Sequence, residues 1–169
     1  MKRLIFIAVM MSFLCSCADR DICRKLEDVE SYIMERPDSA LKVLESIDRT
    51  ELTTERSRAH HALLHAMALD KNGIDVTRDS LAMIAVEYYK DNEPQRNYAR
   101  ALYYLGKCYY YRSEYDKAIL EYSKAEKVAE GSDRLYLGMI KCGQADTYNR
   151  TYNSIEELNC IQQALDIFK

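Results

Sequence analysis

The stretch LGKCYYYRSEYDKAILEYSKAEKVAE, residues 105–130, decides the fold. It holds one glycine, five tyrosines and three alanines. Ala118, Tyr122, Ala125 and Ala129 follow one another at steps of four, three and four, so they share one face of a helix. Because small residues let two helices approach closely, the stretch predicts a pair of tightly packed helices joined by a short turn.

Similar passages recur along the chain with a period near 39 residues. They read PDSALKVLESI from 37, RDSLAMIAVEYY from 78 and EYDKAILEYSKA from 114, with NSIEELNCIQQA from 153 as a looser fourth. The equivalent residues Asp38, Asp79, Asp116 and Ile155 are 41, 37 and 39 positions apart. The acidic residues predict helix starts, since their side chains can accept hydrogen bonds from the first free N–H groups.

A second helical stretch precedes each passage. These stretches cover roughly 20–35, 52–71, 94–112 and 134–152, with breaks at IDRTE, KNGIDVT, DNEP and EGSD. The sequence therefore predicts an all-α fold of four antiparallel helical hairpins, at about 20–48, 52–91, 94–131 and 133–169. We expect one repeat domain over 17–169, preceded by a leader over 1–16.

One of these hairpins, residues 99–132, resembles the tetratricopeptide repeat, whose pattern runs W-x₂-L-G-x₂-Y and then A-x₃-F. The residues that carry the resemblance are Leu102, Leu105, Gly106, Tyr109, Ala118, Tyr122 and Ala125. Leu102 stands in place of the usual Trp. In the last hairpin Glu157 falls where Ala118 would repeat, so that repeat is degenerate. The resemblance implies a superhelix, or solenoid, whose concave groove binds partners.

The N-terminus, MKRLIFIAVMMSFLCSC, has two basic residues and then an apolar stretch from Leu4 to Leu14. This stretch is too short for a membrane-spanning helix of about 20 residues and is typical of a secretory signal. Leu14-Cys15-Ser16-Cys17 resembles a bacterial lipoprotein cleavage box, which implies acylation of Cys17. We expect a lipid anchor in the cell envelope, at the outer membrane or cell surface. An ordinary cleaved signal or an uncleaved anchor is the alternative.

Composition and charge limit the class of partner. Hydrophobic residues make up 48% of the chain, with 5 Gly and 2 Pro, which favours a helical, core-forming protein. The net charge of −3 and the isoelectric point near 5.7 provide no basic field for phosphates, so we expect no nucleic-acid partner.

The expected binding surface follows from the resemblance, in which the first helices line the groove. The repeat phase assigns the partner-binding positions to Arg100, Tyr103, Lys107, Tyr110, Tyr111, Met139, Asp146 and Asn149. Tyrosines offer flat apolar area and a hydroxyl, and Arg100 and Lys107 can meet a carboxylate. An acidic or C-terminal peptide segment is therefore the expected ligand. Alternatively, these tyrosines pack mainly between repeats.

Motifs for other chemistry are incomplete. His61 and His65 are four apart, but HALLH lacks the glutamate of H-E-x-x-H and has no obvious third ligand, so no metal site is expected. Gly138-x₄-Gly143 is followed by Gln-Ala instead of Lys-Ser/Thr, which argues against a phosphate loop. We expect neither a cofactor nor catalytic activity.

The cysteines after the leader show no CxxC spacing. They are Cys23, Cys108, Cys142 and Cys160, and we expect small buried hydrophobic side chains at these positions. A Cys108–Cys142 disulfide is the alternative in an exported protein.

Taken together, these features predict a lipid-anchored, non-enzymatic scaffold that binds a protein or peptide partner in its groove. A glycan-binding uptake lipoprotein is one alternative, since tyrosines also stack on sugar rings, and the sensor part of a longer signalling protein is another. The stretch ALDIFK ends a second helix without a polar capping helix. Either the chain is a fragment of a longer protein, or Ile167, Phe168 and their neighbours pack against another protein or, by self-association through the last hairpin, against another copy.

Overall fold

The computed structural model describes residues 20–74, 76–77 and 80–169, and within these ranges it is all-helical without strands. Helix α1 covers 20–32, and a single 3₁₀ turn, Arg49–Glu51, lies between α2 and α3. The other helices are α2 (Pro37–Glu45), α3 (Glu55–Lys71), α4 (Ser80–Tyr89), α5 (Gln95–Tyr111), α6 (Tyr115–Ala129), α7 (Arg134–Arg150) and α8 (Ser154–Phe168). The prediction of an all-α fold is confirmed.

The helices begin close to the predicted positions, but the acidic residues predicted to cap them do not do so. The side chain of Thr54 caps α3, that of Asp133 caps α7 and that of Asn153 caps α8. The N-cap residues of α2 and α6 make no side-chain cap, and Asp38 and Asp116 lie inside the first turn of these helices. Their negative charges still stabilise the helices, because they lie near the positive end of the helix dipole. The third predicted acidic start, Asp79, lies outside the described residues.

Helices α2 to α8 pack in chain order. Each contacts the next one, and α5 also contacts α3 and α7. No contact among these seven helices joins elements further apart in the chain than that. The chain therefore forms its core locally, hairpin by hairpin, as expected for a fold that buries one face of each helix against its neighbours.

The core contains large aliphatic and tyrosine side chains from successive hairpins. Its fully buried members include Leu26, Ile33, Leu44, Leu63, Met67, Leu102, Tyr104, Tyr122, Tyr136 and Ile140. No helix in the described part of the chain is both long and apolar enough to cross a bilayer.

The cysteines fulfil the sequence prediction in part. Cys108 and Cys160 are buried, whereas Cys142 is exposed and carries a free thiol. The structure does not contain the alternative Cys108–Cys142 disulfide.

The ring of Tyr122 lies between two glycines of different helices. A Cβ at Gly106 of α5 would come within 2.6 Å of the Tyr122 ring, and one at Gly143 of α7 within 2.8 Å. Tyr122 belongs to α6 and is only 1% exposed, so its ring cannot move aside into solvent. Both glycines are therefore required by close packing, and Tyr122 fixes the spacing of three helices.

Replacing Gly106 by Ala tests this packing. Overpacking a filled core costs about 1–3 kcal/mol, which outweighs the gain of roughly 1 kcal/mol in helix propensity. We therefore expect a net loss in the free energy of unfolding, measured by urea denaturation. In a Tyr122→Leu background the clash is relieved, and the same substitution should become neutral or stabilising. An equal effect of Gly106→Ala in both backgrounds would contradict this account.

Candidate functional site

A small cavity lies between α5, α6 and α7, with a volume of about 150 Å³. We call it the tyrosine cavity. Its lining residues are Tyr103, Lys107, Tyr110, Tyr111, Tyr122, Met139, Cys142, Gly143 and Asp146. Six of the predicted groove residues are among them, and only Arg100 and Asn149 lie outside.

Buried aromatic rings form the inner wall of this cavity. Tyr103 and Tyr122 are almost fully buried, and their ring centroids are 5.8 Å apart. Burial raises the pKa of both phenols well above their usual value, so both stay neutral. Tyr110 and Tyr111 are half-buried and meet edge to face at 5.8 Å. The cavity thus has a fixed aromatic base and two partly exposed tyrosines.

Lys107 is the one cation in the cavity lining, and a carboxylate of the same chain already pairs with its charge. Its Nζ forms an ion pair with Asp70 of α3 and lies 5.5 Å from the centre of the Tyr111 ring. Burial alone would lower the pKa of Lys107, but the hydrogen bond and charge of Asp70 outweigh it, so the pKa is raised. The ammonium group therefore stays charged, but it faces a carboxylate of its own chain.

Asp146 brings a carboxylate to the cavity that forms no ion pair with any described residue. Its pKa is raised, first by burial and then by the charge of Glu157, while the charges of Lys107 and Arg150 act in the opposite direction. Burial, together with Asp146, also raises the pKa of the neighbouring Cys142 thiol. A thiol in that state is a poor nucleophile.

Arg100, which was predicted to face a ligand, lies in a network of charged side chains outside the cavity. It donates from Nη1 to Glu30 of α1 at 3.0 Å and from Nε to Asp133 at 2.9 Å. Glu30 also lies 3.0 Å from Nε2 of His60 in α3, and Asp133 caps α7. This set, His60, Glu30, Arg100 and Asp133, is called the Arg100 network. It connects the first helices of all four hairpins.

Arg100 also packs against the core. Its guanidinium carbon lies 4.8 Å from the centre of the Tyr136 ring, and its side chain is 16% exposed. Burial would lower the pKa of Arg100, but Tyr136, Asp133 and Glu30 together leave it raised. Arg100 is thus a permanent charge held inside the structure.

Asn149, the last predicted groove residue, lies away from the cavity. It is exposed and donates to Glu157 of α8 at 2.9 Å. The next residue, Arg150, donates to the hydroxyl of Tyr110 at 3.2 Å and so supports the rim of the cavity.

Sequence reasoning missed Tyr122, Cys142 and Gly143 as lining residues, and it missed the carboxylates that pair with Arg100 and Lys107. The tyrosine and the glycine carried a usable signal, because an aromatic residue and a glycine on adjacent helical stretches can mark a close crossing. The pairing carboxylates gave no signal, since Glu30 is 70 residues from Arg100 in the chain.

No cluster of three side chains suited to a metal ion occurs among the described residues. The fold and the cavity define the chain as an all-helical protein of sequentially packed hairpins with a tyrosine-lined cavity. Comparison with protein-family models, curated proteins and solved structures gives no match.

The Arg100 network predicts a specific pH dependence for Glu30→Gln. The hydrogen bond from His60, followed by the charges of His60, Arg100 and Arg96, lowers the pKa of Glu30 below 4.5 against the effect of burial. Its stabilising contribution is therefore complete above about pH 4.5 and is lost as the pH falls through the lowered value. We expect Glu30→Gln to lower the free energy of unfolding by about 1–2 kcal/mol at pH 7. In acid the free energies of unfolding of the variant and the wild type should become equal.

Denaturant unfolding at several pH values between 3 and 7 measures this difference. Glu35→Gln is the matched control, because Glu35 is exposed and no ion pair with another described residue involves it. The control should differ little from the wild type at any pH. A difference for Glu30→Gln that stays constant down to pH 3 would contradict the assigned role of the charge.

Proposed function

We propose that this chain is a lipid-anchored, non-enzymatic scaffold of the cell envelope that binds a peptide segment of a protein partner at the tyrosine cavity. The observation that carries the proposal is the convergence of six predicted groove residues on one cavity. Its volume of about 150 Å³ is below the 300–1,000 Å³ typical of small-molecule sites. A space of that size suits one inserted side chain of a peptide.

The architecture proposed for the scaffold is a tetratricopeptide-like superhelix. The successive packing of α3, α5 and α7 supports it, because these are the first helices of their hairpins. The second helices α4, α6 and α8 do not contact one another within the described chain. An arrangement with first helices in contact and second helices apart is what a curved array of hairpins requires.

The charges of the cavity favour a basic partner side chain over the acidic one expected from the sequence. Arg100 and Lys107 are each satisfied by carboxylates of the chain, so neither offers a vacant positive charge. Asp146 is the cavity's unmatched charge among the described residues. A lysine or arginine could place its aliphatic stem against Tyr110 and Tyr111 and its charge near Asp146.

Anchoring through Cys17 rests on the sequence of the leader, which lies outside the described residues. Self-association is proposed at α8, where a row of apolar side chains is exposed. The row consists of Ile155, Leu158, Ile161, Leu165 and Phe168. By the 39-residue period, Ile161 corresponds to Tyr122, the residue of α6 that packs against α7. A helix from a second copy could cover this face in the same way.

Substitution of cavity residues should weaken peptide binding. We expect the full chain to bind members of a peptide array that contain lysine or arginine flanked by apolar residues. Asp146→Asn and Tyr111→Ala should each reduce this binding by about tenfold, since each removes one of the few specific contacts. Tyr103 is unsuitable for this test, because it is buried and its loss would disturb the core.

Tyr152→Ala and Glu130→Gln are the matched controls, because both side chains are exposed and lie outside the cavity lining. Tyr152 is 94% exposed, so its loss leaves the fold intact. Peptide binding that survives both cavity substitutions would refute the site. Binding on a parallel glycan array that depends on Tyr111 would instead favour the uptake lipoprotein.

Replacing Cys17 by Ala tests the anchor. In cells that produce the full chain and are fed an alkyne analogue of palmitate, the wild type should be labelled and remain with the membranes. Cys17→Ala should lose both the label and the membrane association, because each buried CH₂ of an acyl chain contributes about 0.8 kcal/mol. Cys23→Ala is the control and should keep both. Unchanged labelling of Cys17→Ala would exclude lipidation at this position.

A further inference from the structure

A second, larger cavity lies between α2, α3 and α4, and its volume is about 450 Å³. We call it the histidine cavity. It is lined by Leu44, Glu45, Ile47, Arg49, Leu52, Arg58, His61, Ala62, His65, Ser80, Leu81 and Ile84. None of these residues lines the tyrosine cavity, and the volume lies in the range typical of small-molecule sites.

One part of the lining is apolar. Leu44, Ile47 and Leu52 are buried there, while Leu81 is half-buried and Ile84 is 47% exposed. Ile84 is therefore a large hydrophobic side chain that borders a cavity and remains accessible. Aliphatic side chains in this arrangement suit the apolar part of a ligand.

The polar part of the lining has an excess of positive charge. Arg49 and Arg58 bring two guanidinium groups, and Glu45 brings one carboxylate. Arg58 donates to the backbone carbonyls of Leu52 and Thr53 at 3.1 and 3.2 Å. Neither guanidinium forms an ion pair with any residue in the described ranges. Two charged groups with vacant donors thus border one cavity.

The two histidines add further donors. Nε2 of His61 donates to the carbonyl of Leu44 at 3.0 Å, which holds that imidazole in place. His65 lies edge to face with His61 at 5.5 Å, and no hydrogen bond to its ring occurs within the described part of the chain. His65 therefore has ring nitrogens that a ligand can reach.

We propose that the histidine cavity binds a small amphipathic carboxylate, with its acidic group at Arg49, Arg58 and His65 and its chain against Leu81 and Ile84. The guanidinium groups match a carboxylate in geometry and charge. Contact between the aliphatic side chains and the ligand's hydrocarbon part removes apolar surface from water, which contributes favourable free energy to binding. This site is separate from the proposed peptide site and does not depend on it.

The histidines make binding depend on pH. Burial is the main cause that lowers the pKa of both imidazoles. For His61 the hydrogen bond to the Leu44 carbonyl acts to raise the pKa, while Arg49 and His60 lower it. For His65 the charges of His61 and Arg49 lower the pKa, and Glu45 acts to raise it. The residues that α4 brings to the lining, Ser80, Leu81 and Ile84, do not titrate. A bound anion favours the protonated imidazole, so binding takes up protons. Affinity should therefore increase as the pH falls from 8 to 6.

The three histidines report ligand binding together with an internal control, because His61 and His65 line the cavity and His60 does not. Octanoate is added to the full chain while the imidazole resonances are followed by NMR. We expect the signals of His61 and His65 to shift and their titration midpoints to move to higher pH. His60, which pairs with Glu30, should change little. Octan-1-ol, which has the same chain and no charge, should leave the midpoints unchanged.

Substitutions locate the contacts. Arg49→Gln should weaken octanoate binding by about tenfold, and the exposed Arg56→Gln, outside the lining, should leave it unchanged. Ile84→Asp, at an exposed position, should abolish binding without requiring a change in the core. The proposal is overturned by the absence of any shift at millimolar octanoate, by equal shifts at all three histidines, or by equal affinity of Arg49→Gln and the wild type.

Discussion

The ring of Tyr122 in α6 holds α5 and α7 at a distance that only glycine allows. A Cβ at either Gly106 or Gly143 would overlap the ring, so three helices meet at one buried aromatic side chain. The same ring is part of the wall of the tyrosine cavity. The packing of the repeats and the shape of the candidate site therefore depend on one contact. A substitution that moves the ring would therefore alter the cavity as well as the helix packing, since close-packed interiors transmit strain.

Electrostatics reinforces this packing along the row of first helices. The Arg100 network joins α1, α3, α5 and the N-cap of α7, and the Lys107–Asp70 pair adds a second link between α3 and α5. Each carboxylate in these links lies on another element than its cation. Charges used in this way stabilise the relative position of the hairpins and are withdrawn from ligand binding. The cavity is therefore mainly aromatic and carries the carboxylate of Asp146 instead of a vacant cation.

Periodicity was sufficient to predict the helices, because each turn of a buried helix repeats the same requirement for an apolar or small residue. It also assigned six residues that line one cavity to the predicted groove, since positions with the same repeat phase on α5 and α7 lie side by side. The state of Arg100 and Lys107 was beyond such reasoning. A repeat pattern shows which face a residue occupies, but not whether a carboxylate 33 or 70 residues away already satisfies it. The prediction of the N-caps was wrong for a related reason. The carboxylates of Asp38 and Asp116 could accept hydrogen bonds from free N–H groups, but both residues lie inside the first turn.

Helix α3 contributes one residue to the lining of the histidine cavity and another that pairs with a lining residue of the tyrosine cavity. The geometry of α3 keeps the two cavities apart. His61 borders the histidine cavity, and Asp70, nine residues later, holds Lys107 of the tyrosine cavity. Nine residues are two and a half turns of an α-helix, so the two side chains project from opposite sides of α3. The cavities also differ in chemistry, because the guanidinium groups of one and the Asp146 carboxylate of the other form no ion pair with any described residue. The two proposed ligands, which carry opposite charges, would therefore not compete, and a substitution in one cavity leaves the charges that line the other unchanged.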